Sequence, residues 1–169
     1  MSEIRIRWSV ADEVQLDRAF TRLAIDVKDF TEPLAAAKEI VKDETLAQFE
    51  AEGDPGWADL NSRYKAWKAR HFPGKTKLIC TEALLHSLTG DHADGAIREI
   101  TPTTLRYGTS LEVGETRKWN LGLIHQLGTK DGRIPARPML RLRRQGQTRI
   151  VRAFREHFIR LANAAGLHP

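Results

Sequence analysis

Ile124-His-Gln-Leu-Gly-Thr-Lys-Asp-Gly-Arg-Ile-Pro-Ala-Arg-Pro-Met-Leu-Arg-Leu142 is the stretch whose reading decides the rest of the chain. His125 and Gln126 read as a helix end stopped at Gly128, and a glycine-marked loop follows. Ile134-Pro135-Ala136-Arg137-Pro138 is then locked by two prolines, each of which fixes its own φ. No nucleophile, metal cluster or phosphate loop sits inside this stretch. A segment so constrained and so inert chemically is built for shape and contact.

Downstream of it, Pro138 to Leu142 is expected to add a strand. A closing helix over about 147–163 should turn Ile150, Val151, Phe154, Phe158 and Leu161 inward, with Arg149, Arg152, Arg155 and Arg160 elsewhere. Upstream, a short helix is expected around Lys118 to Gln126. Between Gly95 and Gly114, three runs (96–100, 104–107 and 110–113) are separated by Pro102 and Gly108 and predict an antiparallel meander. Thr81 to Leu88 reads as a helix with Leu84, Leu85 and Leu88 inward, stopped by Gly90. Another helix is expected over Asn61 to His71, broken by Pro73-Gly74.

Gly53-Asp54-Pro55-Gly56-Trp57 is a turn followed by an aromatic anchor. Before it, Thr31 and Pro33 mark the start of a helix whose apolar stripe is Leu34, Ala37, Val41 and Phe49. Asp12 caps an earlier helix bearing Leu16, Phe20, Leu23 and Val27, and the two helices are expected to form an antiparallel hairpin. Ile4, Ile6 and Trp8 alternate with Arg5 and Arg7 as a short strand. There is no internal repeat, low-complexity tract or linker. The expected fold is α+β, several helices packed on a small antiparallel β-sheet, in a single domain over residues 1–169.

Composition excludes several classes. With 41% apolar and 29% charged residues, the chain is an ordinary globular one. One cysteine, Cys80, rules out an internal disulfide and fits synthesis in a reducing cytosol. No apolar run is long enough to cross a bilayer, and Met1-Ser2-Glu3-Ile4 lacks the basic start of a secretion signal, so no membrane partner is expected. The net charge of +5 conceals a polarity. Residues 1–60 hold fourteen acidic against seven basic side chains, whereas residues 117–160 hold two acidic against twelve basic. The basic end suits nucleic acid, the acidic end of a neighbouring copy, or water alone.

Candidate chemistry is thin. Ala69 to Thr76 satisfies a loose phosphate-loop pattern, but a helix precedes it, Ala69 replaces the first glycine, and Pro73 lacks a donor. A helix end and basic turn is the better reading. Glu82 and His86 share a helix face at a metal-ligand spacing without a second pair, so a surface pair is expected. Cys80 lacks an orienting group and reads as a small buried hydrophobe. His125 has no carboxylate or nucleophile beside it and reads as a hydrogen-bonding group at a helix end. No catalytic residue, cofactor or metal is expected.

Arg137, Arg141, Arg143 and Arg144 are bunched, with Arg149, Arg152 and Arg155 following, yet no nucleic-acid-binding motif accompanies them. Among the aromatics, Trp57 is expected to pin a loop to the core and Trp67 to lie within it, both as structural anchors. Trp119 is left open.

Four elements in order resemble the phage virion morphogenesis, or tail completion, family of Mu-like and P2-like phages. Gly53-x-Pro55-x-Trp57 with Leu60, Tyr64 and Lys68 resembles the first, and Thr81 to Leu84 the second, with Glu82 where glycine is usual. His125-Gln126-x-Gly128 and Ile134-Pro135-Ala136-Arg137-Pro138 resemble the last two, with Met139 where phenylalanine is commoner. The resemblance spans about residues 30–160. It implies a structural protein rather than an enzyme, acting in tail completion and head–tail joining as an oligomeric ring.

Its partners would be other neck and tail proteins and further copies of itself. Its location would be the host cytoplasm during assembly and then the virion. His125, Gln126, Gly128, Pro135, Arg137, Pro138, Met139, Arg141, Arg143 and Arg144 are the expected assembly residues, with Arg137 and Met139 held at a subunit contact. Acidic residues of the first helices are expected to face the arginines of the last in an adjacent copy. Changing Arg141, Arg143 and Arg144 to Glu should then block assembly and leave the monomer folded. The alternative function is a nucleic-acid-binding module using the arginine-rich C-terminal third.

Overall fold

The computed structural model describes residues 15, 17–19, 21, 24, 28–116 and 118–167. The expected strand at Ile4–Trp8, the Asp12 cap, and the stripe of Leu16, Phe20, Leu23 and Val27 lie outside them. Helix α1 spans Thr31–Glu50. The Asp29 carboxylate accepts from the Thr31 amide at 2.8 Å, and Pro33 falls in the first turn, where no intrahelical donor is lost.

Of the expected stripe of α1, Ala37 and Phe49 are buried and Leu34 and Val41 half-buried. The same face also buries Ile40 and three polar side chains, Glu44, Thr45 and Gln48. The chain leaves α1 through Gly53, whose amide reaches the Gln48 carbonyl at 2.8 Å. A Cβ on Gly53 would lie 2.7 Å from the Trp57 amide nitrogen, so the tight turn into Trp57 requires glycine.

Helix α2 is Ser62–His71, capped by Asn61, which accepts from the Arg63 amide. Helix α3 is Ala83–Thr89, with Leu84, Ser87 and Leu88 buried and Gly90 at its end. Strands β1 (Ala96–Ile100) and β2 (Leu105–Thr109) form an antiparallel hairpin in the register Ala96↔Thr109 to Ile100↔Leu105.

The expected third strand of that meander does not join it. Thr109 Oγ1 takes the Leu111 amide at 3.0 Å and turns the chain away. Strand β3 (Glu112–Val113) pairs instead with β4 (Trp119–Asn120), as a second small antiparallel sheet. Because β4 uses Trp119 and Asn120, helix α4 starts only at Leu121 and runs to Leu127, with Asn120 Oδ1 capping the Leu123 amide at 2.7 Å.

Residues 138–142 form no strand. The last helix, α5, spans Arg144–Ala164 and packs along α1. Gly146 in its first turns is buried, and a Cβ there would lie 2.9 Å from the Glu44 side chain. Glycine inside a helix is unfavourable by roughly 1 kcal/mol, and here it lets α5 close on α1. The inward set expected on α5 is only partly inward: Val151 is 67% exposed and Phe158 is exposed too, while Phe154 is half-buried. His157 is buried in their place, between the Glu32 carboxylate and the Asp29 carbonyl (3.2 Å each).

The main core consists of Phe49, Trp57, Leu84, Leu88 and Met139, surrounded by Leu78, Ile79, Leu85, Leu111, Leu121 and Leu140. Phe49 and Trp57 meet edge to face at 5.4 Å. The architecture is α+β, with helices packed against a small antiparallel hairpin in a single domain.

Candidate functional site

Two other motifs, Gly53–Trp57 and His125–Gly128, converge on residues 134–140. Two prolines remove backbone donors there, so an ordinary ladder cannot form. The Gln126 side chain replaces it: its Oε1 accepts from the Met139 and Leu140 amides (2.9 and 3.0 Å), and its Nε2 donates to the Leu140 carbonyl (3.1 Å). The Arg137 amide donates to the His125 carbonyl at 2.6 Å. Gly128 permits this approach. Its φ is +76°, and a Cβ would stand 2.8 Å from both the Ala136 nitrogen and the Ile134 oxygen. From the other side, Trp57 Nε1 donates to the Pro138 carbonyl at 3.0 Å.

Arg137 and Met139, expected at a subunit contact, are turned inward, 4% and 1% exposed. Met139 fills the core, and Arg137 donates through Nε to the Ala58 carbonyl and through Nη2 to the Asp59 carbonyl, both at 2.9 Å. Burial pushes the Arg137 pKa down from its ordinary value, against the raising influence of Asp59 and Tyr64. His125 is likewise shifted down, first by burial and then by the nearby Arg137 charge, and its Nδ1 is buried with no hydrogen-bond partner. Pro135 is exposed, and Pro138 is half-buried.

Three of the C-terminal arginines meet acids of α1 within the same chain. Arg143 donates through Nε to Glu44 Oε2 at 2.8 Å, Arg149 meets Asp43 at 2.9 Å, and Arg160 meets Glu32 at 2.5 Å. The Arg143 hydrogen bond holds the buried Glu44 carboxyl below its usual range, against desolvation. Changing Arg143 to Glu would therefore strike the fold itself, contrary to the expectation for the triple change. Arg141 and Arg144 are exposed, as are Arg152 and Arg155, and none has an acidic partner among the described residues.

Trp67 is not in the core. It is 43% exposed and stacks on His71 and Tyr64, with ring centroids 4.6 and 5.4 Å away. The residue of α2 that goes inside is Lys68, whose Nζ donates to the Thr76 and Ile79 carbonyls. This contact organises the turn after α2. Residues 76–82 form no helix, so the phosphate-loop pattern at Ala69–Thr76 lacks the element it needs. Glu82 pairs with Lys75 and lies 3.6 Å from His86, and no group of three metal-capable side chains occurs among the described residues.

Cys80 is half-buried rather than buried, 3.7 Å from the Tyr64 hydroxyl. Burial, with Cys80 adding to it, pushes the Tyr64 pKa up to about 12.

The 126–140 lock forms one wall of a cleft of about 800 Å³. Tyr64 and Lys68 of α2, Leu78 and Leu84, Leu111 and Val113, and His125 with Arg137 line it. Beside it, Leu123 and Leu127 stand one turn apart on the outer face of α4, Leu127 being 68% exposed. Sequence reasoning missed both, although their i, i+4 spacing opposite the buried Gly122 was the available signal.

The model of the phage virion morphogenesis family matches residues 11–159. The chain belongs to the phage virion morphogenesis family. The match extends further towards the N-terminus than the motif resemblance, which spans about residues 30–160. No curated protein and no solved structure matches the chain.

A general role in building the phage particle follows from membership of this family. No helix among the described residues is long and apolar enough to cross a membrane. The motifs that carry the resemblance also acquire a physical meaning in this chain: Gly53 to Trp57, His125 to Gly128 and Ile134 to Pro138 are the pieces of one lock. Glu82, where the family resemblance places glycine, has φ +65° and ψ −4°, the left-handed region that glycine adopts freely.

Proposed function

We infer that this virion morphogenesis protein completes the tail and joins it to the head, as in Mu-like and P2-like phages, by ordered protein–protein assembly without catalysis. The family match over 11–159 carries this reading. It acts as an oligomeric ring, with neck and tail proteins as its other partners, first in the host cytoplasm and then in the virion.

The surface chemistry supports such a role. Leu123, Leu127 and Val113 expose apolar area around α4, and aliphatic area of this kind favours protein contact. Arg141 and Arg144 lie exposed around the start of α5 as charges available to a neighbour.

Adding purified protein to a lysate of a phage lacking this gene tests the reading. Restored infectivity is expected from the wild-type chain and not from a Leu123→Asp/Leu127→Asp variant that keeps its melting temperature. No restoration by the wild-type chain would count against it.

The second reading, nucleic-acid binding, is favoured by one observation: Arg152 and Arg155 are exposed on α5 without acidic partners among the described residues. It is weakened by Arg143, Arg149 and Arg160, whose charges are matched on α1. A DNA affinity that persists at physiological salt and falls steeply above it would favour that reading.

A further inference from the structure

The cleft between α2, residues 78–84, β3 and the 133–137 loop holds two buried cations that no carboxylate of the described residues contacts directly, Asp59 acting on Arg137 and Glu52 on Lys68 only through space. Lys68 is 4% exposed, as is Arg137, and each is met only by backbone carbonyls: Thr76 and Ile79 for the first, Ala58 and Asp59 for the second. Neither has a carboxylate within ion-pair distance among the described residues.

The acids around the cleft are already committed outward. Asp59 pairs with Lys65 (3.0 Å), Glu82 with Lys75, and Glu112 with Lys118 (3.5 Å). Arg133, the remaining cation of the lining, is matched by Asp131 at 3.2 Å.

A buried charge without a counter-charge is costly, and an arriving carboxylate relieves that cost. Arg137 has used two of its five N–H donors, and Lys68 two of three. His125 Nδ1 is a further buried polar atom without a partner, on the same wall. Between these groups the walls are apolar: Leu78, Leu84, Leu111, Val113 and Ile134. The volume of about 800 Å³ accommodates several side chains of an extended segment.

We propose that this cleft is a docking groove for an extended segment of a partner protein that presents a carboxylate between apolar side chains. The carboxylate sits against Lys68 and Arg137, and the flanking side chains fill the Leu84 and Val113 walls. This deepens the assembly reading and rests on it for the biological source of the segment. The groove's chemistry is tested without it.

The test uses the full chain, labelled for amide NMR, titrated with two pools of acetylated pentapeptide amides. One pool has a central Glu flanked by Leu, Ile, Val or Phe, and the other has Gln in its place. The Glu pool should shift the amide signals of Tyr64, Leu84, Val113 and His125 and bind at least ten times more tightly than the Gln pool. Lys68→Met should erase the difference between pools. Should that variant unfold, Val113→Asp on the rim should abolish binding while the wild-type contrast stands.

Four results would overturn the proposal: equal binding of both pools, no shift at millimolar peptide, the same shifts from inorganic phosphate alone, or the same shifts on raising protein concentration. The last would make a second copy the occupant. None of these would bear on whether loss of the gene leaves particles unfinished, so groove and assembly role fail separately.

Discussion

The indole of Trp57 donates to the carbonyl of Pro138 at 3.0 Å, across 81 positions of sequence. This bond ties the turn after α1 to the proline-locked loop, and Gln126 holds the same loop from the opposite side. Trp57→Phe keeps the edge-to-face packing on Phe49 and removes only the donor. It should lower stability by about 1–2 kcal/mol with an unchanged urea m-value. A loss below about 0.5 kcal/mol would mean that the bond is not part of the lock.

Gln126 makes three hydrogen bonds to the backbone of residues 139 and 140. Gln126→Ala leaves two amides and a carbonyl unmatched beside a buried Met139, and about 2–4 kcal/mol should be lost in urea unfolding. Gln126→Glu retains the acceptor for both amides but sets an oxygen against the Leu140 carbonyl, so its loss should be nearly as large. A glutamate variant as stable as wild type would contradict this assignment of the amide's two ends.

Much of this arrangement was legible in sequence, and the reasons are local ones. Asn61 at the start of α2, Gly90 after α3 and Gly128 after α4 act within a few residues, where capping and turn chemistry operate. What was not legible depends on partners far along the chain. Nothing local tells that Gln126 will do the work of a strand, which is why residues 138–142 read as one. The inward turn of Arg137 depends on carbonyls of Ala58 and Asp59, 79 and 78 positions away. Trp67 and Lys68 reversed the usual order of burial because the turn after α2 offers Lys68 two carbonyls. The charge polarity was visible, but not that α1 and α5 of one chain would pair it off.

Glu44 and Arg143 give the fold a pH signature. Arg143 depresses the folded-state pKa of Glu44 below its ordinary value, so the stabilisation is present above the ordinary carboxylate range and disappears as pH falls through the lowered value. At pH 7, Glu44→Gln should be about 1.5–3 kcal/mol less stable than wild type. The gap in melting temperature should close below about pH 4. A gap independent of pH would exclude the ionic contribution.

Charge reversal should separate fold from assembly. Arg143→Glu sets a second carboxylate against Glu44 and should lower the melting temperature sharply. Arg141→Glu and Arg144→Glu alter exposed positions, and stability should stay within about 0.5 kcal/mol. The double variant should nevertheless fail to restore infectivity in the add-back assay. Full restoration would remove these arginines from the assembly surface.

Glu82 holds a left-handed conformation that a glycine would hold without strain. Glu82→Gly should therefore raise the melting temperature, by about 2–4 °C, despite losing the exposed pair with Lys75. A lowered melting temperature would show that the ion pair outweighs the backbone strain.

The most direct measurement for the role in virion morphogenesis is electron microscopy of induced lysates from a phage or prophage lacking this gene. Full heads beside separate, finished-looking tails are the expected result, with joined particles returning when the gene is supplied in trans. Normal, infectious particles in the absence of the gene would contradict it.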